Sequence, residues 1–200
     1  MSFSLYLSIF TFLLIAAVTP GPNNILLTTT AANFGIGRAL KPMFGIMLGM
    51  QVLLLLVASG VGSLIILHPS IHLALKVMGS VYLLWLAYKL ASARFETLDT
   101  ETAPAQPVKF YQGALLQFLN PKAWLMALGS ISSFSLMGDL YVPSVIAISV
   151  IMVGVNFIAS AVWLGFGSLI SHLLRSPRSW RLFNVTMGVL TAACVPLVWW

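Results

Sequence analysis

Two short polar breaks in an otherwise apolar chain hold most of the residue types that could do chemistry. The first is Thr19-Pro20-Gly21-Pro22-Asn23-Asn24 and the second is Gln117-Phe118-Leu119-Asn120-Pro121-Lys122. A proline removes one backbone donor and leaves a carbonyl one turn back without its helical partner. In lipid that carbonyl must find another donor or line a wet cavity. Asn and Gln amides supply donors and acceptors together, and Lys122 supplies a cation. Such a set suits the reversible holding of a small zwitterion, with its carboxylate on the cation, better than bond cleavage.

Lys122 is the sharpest of these residues. It falls about eleven residues into an apolar stretch, roughly 16 Å deep at 1.5 Å per residue, too far for easy snorkelling. A lysine at that depth costs about 2.5–3.5 kcal/mol, so it must face protein or water and have a partner. No acidic side chain falls in the middle of any apolar stretch. An incoming carboxylate is one partner; carbonyls freed by Pro20, Pro22 or Pro121 are the other. Gln51, Gln117 and Asn156 are further buried amides that either meet a zwitterion or hold helices together. Gly45 and Gly49 form a GxxxG pair, and Gly165 and Gly167 sit on another stretch, all suited to close helix packing.

Catalytic and metal chemistry find no support. His68, His72 and His172 fall near stretch ends, and Cys194 is the single cysteine, so no ligand set, triad or disulfide framework forms. We expect neither enzyme activity nor a cofactor, and no catalytic or metal residues.

These residues must be positioned by elements of a particular kind. Of the 200 residues, 60% are hydrophobic and 7% charged, and the mean hydropathy is +1.00. That leaves too little polar surface for a water-soluble globule. The basic balance, +6 at neutral pH, comes as scattered residues between apolar stretches, with no dense run for nucleic acid. Nearly unbroken apolar stretches cover about 3–27, 42–67, 71–91, 111–136, 145–170 and 182–200, each about the length that crosses a bilayer as a helix. A β-barrel would instead alternate apolar and polar residues. The expected fold is therefore an all-α integral membrane protein of six transmembrane helices.

Orientation follows from the basic residues, which stay on the cytoplasmic side. Arg38 and Lys41 fall in the first connection, Lys89, Arg94 and Lys109 about the third, and Arg175, Arg178 and Arg181 in the fifth; only Lys76 opposes them. Both termini then face outward. Trp85, Tyr88, Phe110, Tyr111, Trp180, Trp199 and Trp200 read as headgroup anchors. The two breaks lie about half the chain apart, each in the first stretch of a group of three, which predicts a 3+3 inverted repeat. Its parts would be a first half at 1–92, a cytoplasmic loop at 93–110 carrying Glu96, Asp99 and Glu101, and a second half at 111–200.

At these same motifs the chain resembles the LysE/RhtB family of amino-acid exporters. The matching pieces are the run from Thr19 to Asn24, Gly37-Arg38, the run from Gly79 to Leu86, and the run from Gln117 through Lys122 to Ala123. The resemblance covers the full length. It implies a multi-pass exporter of the bacterial inner (cytoplasmic) membrane, driven by a proton or ion gradient and forming a homodimer. Asn23-Asn24, Gln117-Phe118 and Asn156 are most similar to the branch exporting cysteine and O-acetylserine. Where some relatives have an Asp, this chain has Asn156, which leaves Lys122 or a substrate proton to carry the coupling. The expected mechanism is alternating access, with the substrate carboxylate on Lys122 and Asn23, Asn24 and Asn120 on its other polar groups. An uncoupled channel or pore and a non-transporting structural subunit are the other readings.

Overall fold

A computed structural model of the chain describes residues 1–60, 69–92, 106–174 and 176–196. The acidic part of the expected loop, His68, Arg94, Arg175, Trp199 and Trp200 lie outside the described residues, as do the side chains of His72 and Lys76. Among the described residues every regular element is a helix: α1 (Phe3–Val18), α2 (Pro22–Phe34), α3 (Ile36–Ala58), α4 (Pro69–Ala91), α5 (Phe110–Leu119), α6 (Pro121–Phe134), a 3₁₀ turn (Gly138–Leu140), α7 (Tyr141–Leu173) and α8 (Pro177–Ala192). The order is a broken pair followed by two further helices, twice over.

The ends are set by local chemistry. Ser2 accepts the Leu5 N–H at the start of α1, and Ser176 accepts the Ser179 N–H at the start of α8. Pro22, Pro121 and Pro177 each stand in the first turn of a helix, where the missing donor costs nothing. Gly35 takes φ +81° between α2 and α3, a conformation that suits glycine.

Two boundaries differ from expectation. The first helical run does not stop at Leu27, and Arg38 and Lys41 lie within α3 instead of in a loop. The polar run Thr28-Thr29-Thr30 that masked the continuation is buried, and the Thr30 hydroxyl donates back to Leu26 O at 2.7 Å, so it sits comfortably inside a helix. The last helix starts at Pro177, five residues before the expected stretch, because Ser176 caps it there. The break expected in the fourth stretch is present: the stretch is two helices, meeting at Asn120.

By length and composition, α3 and the run Gly138–Leu173 can each cross a bilayer, and α1 with α2, bent by 56° at their break, qualify as one further span. In α4 the shorter run Val77–Ala91 is apolar. Apolar side chains fill both sides of the molecule. Leu13, Leu26, Met50, Leu53, Leu116 and Ile148 are fully enclosed, while Leu55, Val81, Leu125, Val150 and Val162 are each more than half exposed. An outer surface this apolar is matched to lipid, and the chain is a membrane protein.

The closest packing lies between α3 and α5. A methyl group built on Gly45 would fall 2.0 Å from Phe110 O, one on Gly49 2.5 Å from Ala114 O, and one on Gly113 2.4 Å from Pro42 O. Only hydrogen fits at these three places. The expected GxxxG pair therefore brings two backbones together, as small residues do between membrane helices. Gly167 does the same against Thr28 O, whereas Gly165 faces open space.

Candidate functional site

The first break frees carbonyls that the sequence then recaptures. Without a continuing helix, Ala17 O and Thr19 O would be left unpaired. The Asn24 amide donates to both, at 2.9 and 2.8 Å, and Lys122 Nζ also donates to Thr19 O. Asn24 is thus spent on closing the break. Lys122 does meet a freed carbonyl, and through it joins the second break to the first.

The second break is organised in the same manner. Asn120 ends α5 and caps α6, its side chain accepting the Lys122 N–H at 3.1 Å. The Trp124 indole donates to Phe118 O at 2.9 Å. Across the molecule, Asn23 and Gln117 exchange two amide hydrogen bonds, at 2.8 and 3.0 Å, and Asn120 adds a third to Asn23 Oδ1 at 3.4 Å. Gln117 is fully buried and donates also to Gly113 O. The two breaks, about a hundred residues apart in sequence, are stitched into one unit.

That unit walls a cavity of about 30 Å³. Of the residues named from the sequence, Gly21, Asn23, Asn24, Asn120, Lys122 and Asn156 line it. Pro20, Pro22 and Pro121 shape its backbone without lining it. Gln117 stands behind Asn23, and Gln51 lies apart, exchanging hydrogen bonds with Ser149 of α7 instead. Gly21 leaves room for the lysine stem: a methyl group there would lie 3.0 Å from Lys122 Cδ, and the stem would have to shift by a few tenths of an ångström.

The electrostatics of the cavity are one-sided. Lys122 and the N-termini of α2 and α6 all present positive charge to it, and no acidic residue is among its lining. Asn156, 8% exposed, has an amide nitrogen with no hydrogen-bond partner among the described residues. An unpaired buried donor costs about 1–3 kcal/mol, and this one shares the cavity lining with a cation, a combination that suits an anionic acceptor. A carboxylate satisfies both. The cavity as it stands holds about one or two waters, so an amino acid needs the walls to part.

The model of the LysE type translocator family matches residues 14–194. The chain belongs to that family. It is a membrane transport protein and not an enzyme. Curated relatives of this translocator include a cysteine/O-acetylserine efflux protein of Salmonella choleraesuis (strain SC-B67), 32% identical over 184 residues that make up 92% of each chain. The cysteine/O-acetylserine efflux protein of Escherichia coli (strain K12) is 30% identical over the same length and coverage. No solved structure matches the translocator.

Sequence reasoning missed part of the translocator's site. Ser160 lines the cavity one turn beyond Asn156, and an Asn and Ser four apart in an apolar stretch was a usable signal. Ile46, Met50 and Met126 give the cavity its apolar wall, and nothing in their types distinguishes them from core. The reciprocal amide pair between Asn33 and Asn184, at 2.9 and 3.1 Å, joins α2 to α8 and was likewise unforeseen.

Proposed function

We propose that this translocator is a secondary active exporter of small amino acids, with cysteine and O-acetylserine as its substrates, across the bacterial inner membrane. The supporting observation is the cavity between the two breaks, where Lys122, Asn156 and two helix N-termini face a space without a carboxylate of its own. The names of the relatives support the substrate class. Lys122 and Asn156 hold the carboxylate. The amides of Asn23, Asn24, Asn120 and Gln117 hold the breaks in shape, and become available to the substrate's polar groups only as the breaks part.

In this reading α1 to α4 and α5 to α8 are two three-span halves related by inversion, with residues 93–110 between them on the cytoplasmic side and both termini outside. Rocking of one half against the other opens the cavity alternately to each side. The coupling ion is a proton, carried by Lys122 or by the substrate, and the assembly is a homodimer. Purified protein in proteoliposomes tests the proposal. Accumulation of labelled cysteine or O-acetylserine against its gradient, driven by an imposed pH difference, is the expected result. Purely downhill flux makes the protein a pore, and no flux makes it a structural subunit; either overturns the reading.

A further inference from the structure

A second cavity, of about 190 Å³, lies at the far end of α2, where α2, α4 and the segment leading into α5 meet. It is larger than the roughly 150 Å³ cavity that accepts benzene and is open on one side, so a small amino acid fits with its longer end toward the mouth. Its wall includes Thr29, Thr30 and Asn33 from α2 and Lys89 and Ser92 at the end of α4. Two observations point to a ligand. Thr29 is 2% exposed, yet its hydroxyl has no partner among the described residues. Lys89 is exposed, its ammonium 4.9 Å from the Trp85 ring centre, and among the described residues no carboxylate pairs with it.

Position adds to this. Asn23 and Thr30 are seven residues apart on one face of α2, and Asn33 follows a turn later, so a polar line runs from the first cavity to the second. At 1.5 Å per residue the two are roughly 10–15 Å apart. Arg38, Lys41 and Lys109 place this end of the molecule on the basic, cytoplasmic side.

We infer that the second cavity is a waiting site for the exported amino acid, in which Lys89 holds the carboxylate and the Thr29 hydroxyl a second polar group, before passage along α2 to Lys122. The inference rests on the exporter reading. A substrate captured there is concentrated next to the narrow inner cavity, so that parting of the breaks finds it in place.

The test is substituted-cysteine labelling in a Cys194→Ala background, which removes the chain's one native thiol. Ser92→Cys, at an exposed position on the rim, is labelled by a membrane-impermeant maleimide in inside-out vesicles. Gln106→Cys, on the opposite rim, serves as a second reporter. O-acetylserine at four times its dissociation constant should slow labelling about fivefold, since the free fraction falls to about one fifth. Lys89→Gln should abolish that protection, while Lys122→Met should leave it intact. The inference is overturned if a transporting reporter protein shows no protection, if Lys122→Met removes it as fully as Lys89→Gln does, or if labelling occurs only from the opposite side. If the reporter proteins fold and label but the parent protein accumulates no amino acid in proteoliposomes, the exporter reading fails first and this inference with it.

Discussion

Replacing Lys122 by Met separates what the lysine does for the fold from what it does for transport. For the fold, two terms nearly cancel. If Lys122 lies at the depth expected from the sequence, removing its charge returns about 2.5–3.5 kcal/mol. Losing the charge-assisted bond to Thr19 O costs about 1.5–3 kcal/mol, leaving the variant between neutral and about 2 kcal/mol more stable. For transport nothing cancels. A carboxylate about 4 Å from the ammonium, at an effective dielectric near 20, gains about 4 kcal/mol. Allowing for up to half of that lost to desolvation, substrate binding weakens by about 2–4 kcal/mol, or roughly 30- to 1,000-fold. Gradient-driven uptake of labelled cysteine into proteoliposomes, measured against concentration, reads the second effect, and the midpoint of thermal unfolding in detergent reads the first. Lys122→Arg should keep a measurable part of the activity. Uptake by the Met variant within threefold of the parent would refute the carboxylate assignment, and a lowered unfolding midpoint alongside lost uptake would make Lys122 a structural clamp.

Asn156→Leu should leave stability unchanged or higher, because it removes an unpaired donor, while raising the apparent KM about tenfold; an unchanged KM places the substrate elsewhere. Asn23→Ala and Gln117→Leu, singly and together, should show a coupling energy of about 0.6–1.7 kcal/mol in unfolding assays, whereas strict additivity would dissolve the stitch between the breaks. Gly45→Leu drives a side chain into the α5 backbone and should cost at least about 2 kcal/mol. Gly165→Ala, in open space, should be neutral to about 1 kcal/mol stabilising.

Much of the site was legible because lipid is an unforgiving solvent. A proline pair, an Asn-Pro step and a lysine inside apolar stretches are costly there, and the structure gathers Gly21, Asn23, Asn24, Asn120, Lys122 and Asn156 around one cavity. Pairing was not legible. That Asn23 meets Gln117, or that Asn33 meets Asn184, depends on how helices distant in sequence come together, and an isolated amide carries no address. Gln51 shows the same limit, for its type matched the site but its neighbour was Ser149. The threonine run of α2 misled for a local reason. Hydropathy counts Thr28, Thr29 and Thr30 as polar, whereas Thr30 spends its hydroxyl on its own helix.

The smallness of the inner cavity also bears on the idle protein. A space for about one or two waters is too short a file to relay protons from one face of the membrane to the other. Apart from the Asn156 amide, the carbonyls and amides at the breaks that would otherwise anchor such a water wire are already bonded to Asn24, Lys122 and Gln117. We expect a translocator in this form to insulate. A cell could carry many copies in its membrane without short-circuiting the potential across it, and conductance measured on empty vesicles should match that of lipid alone.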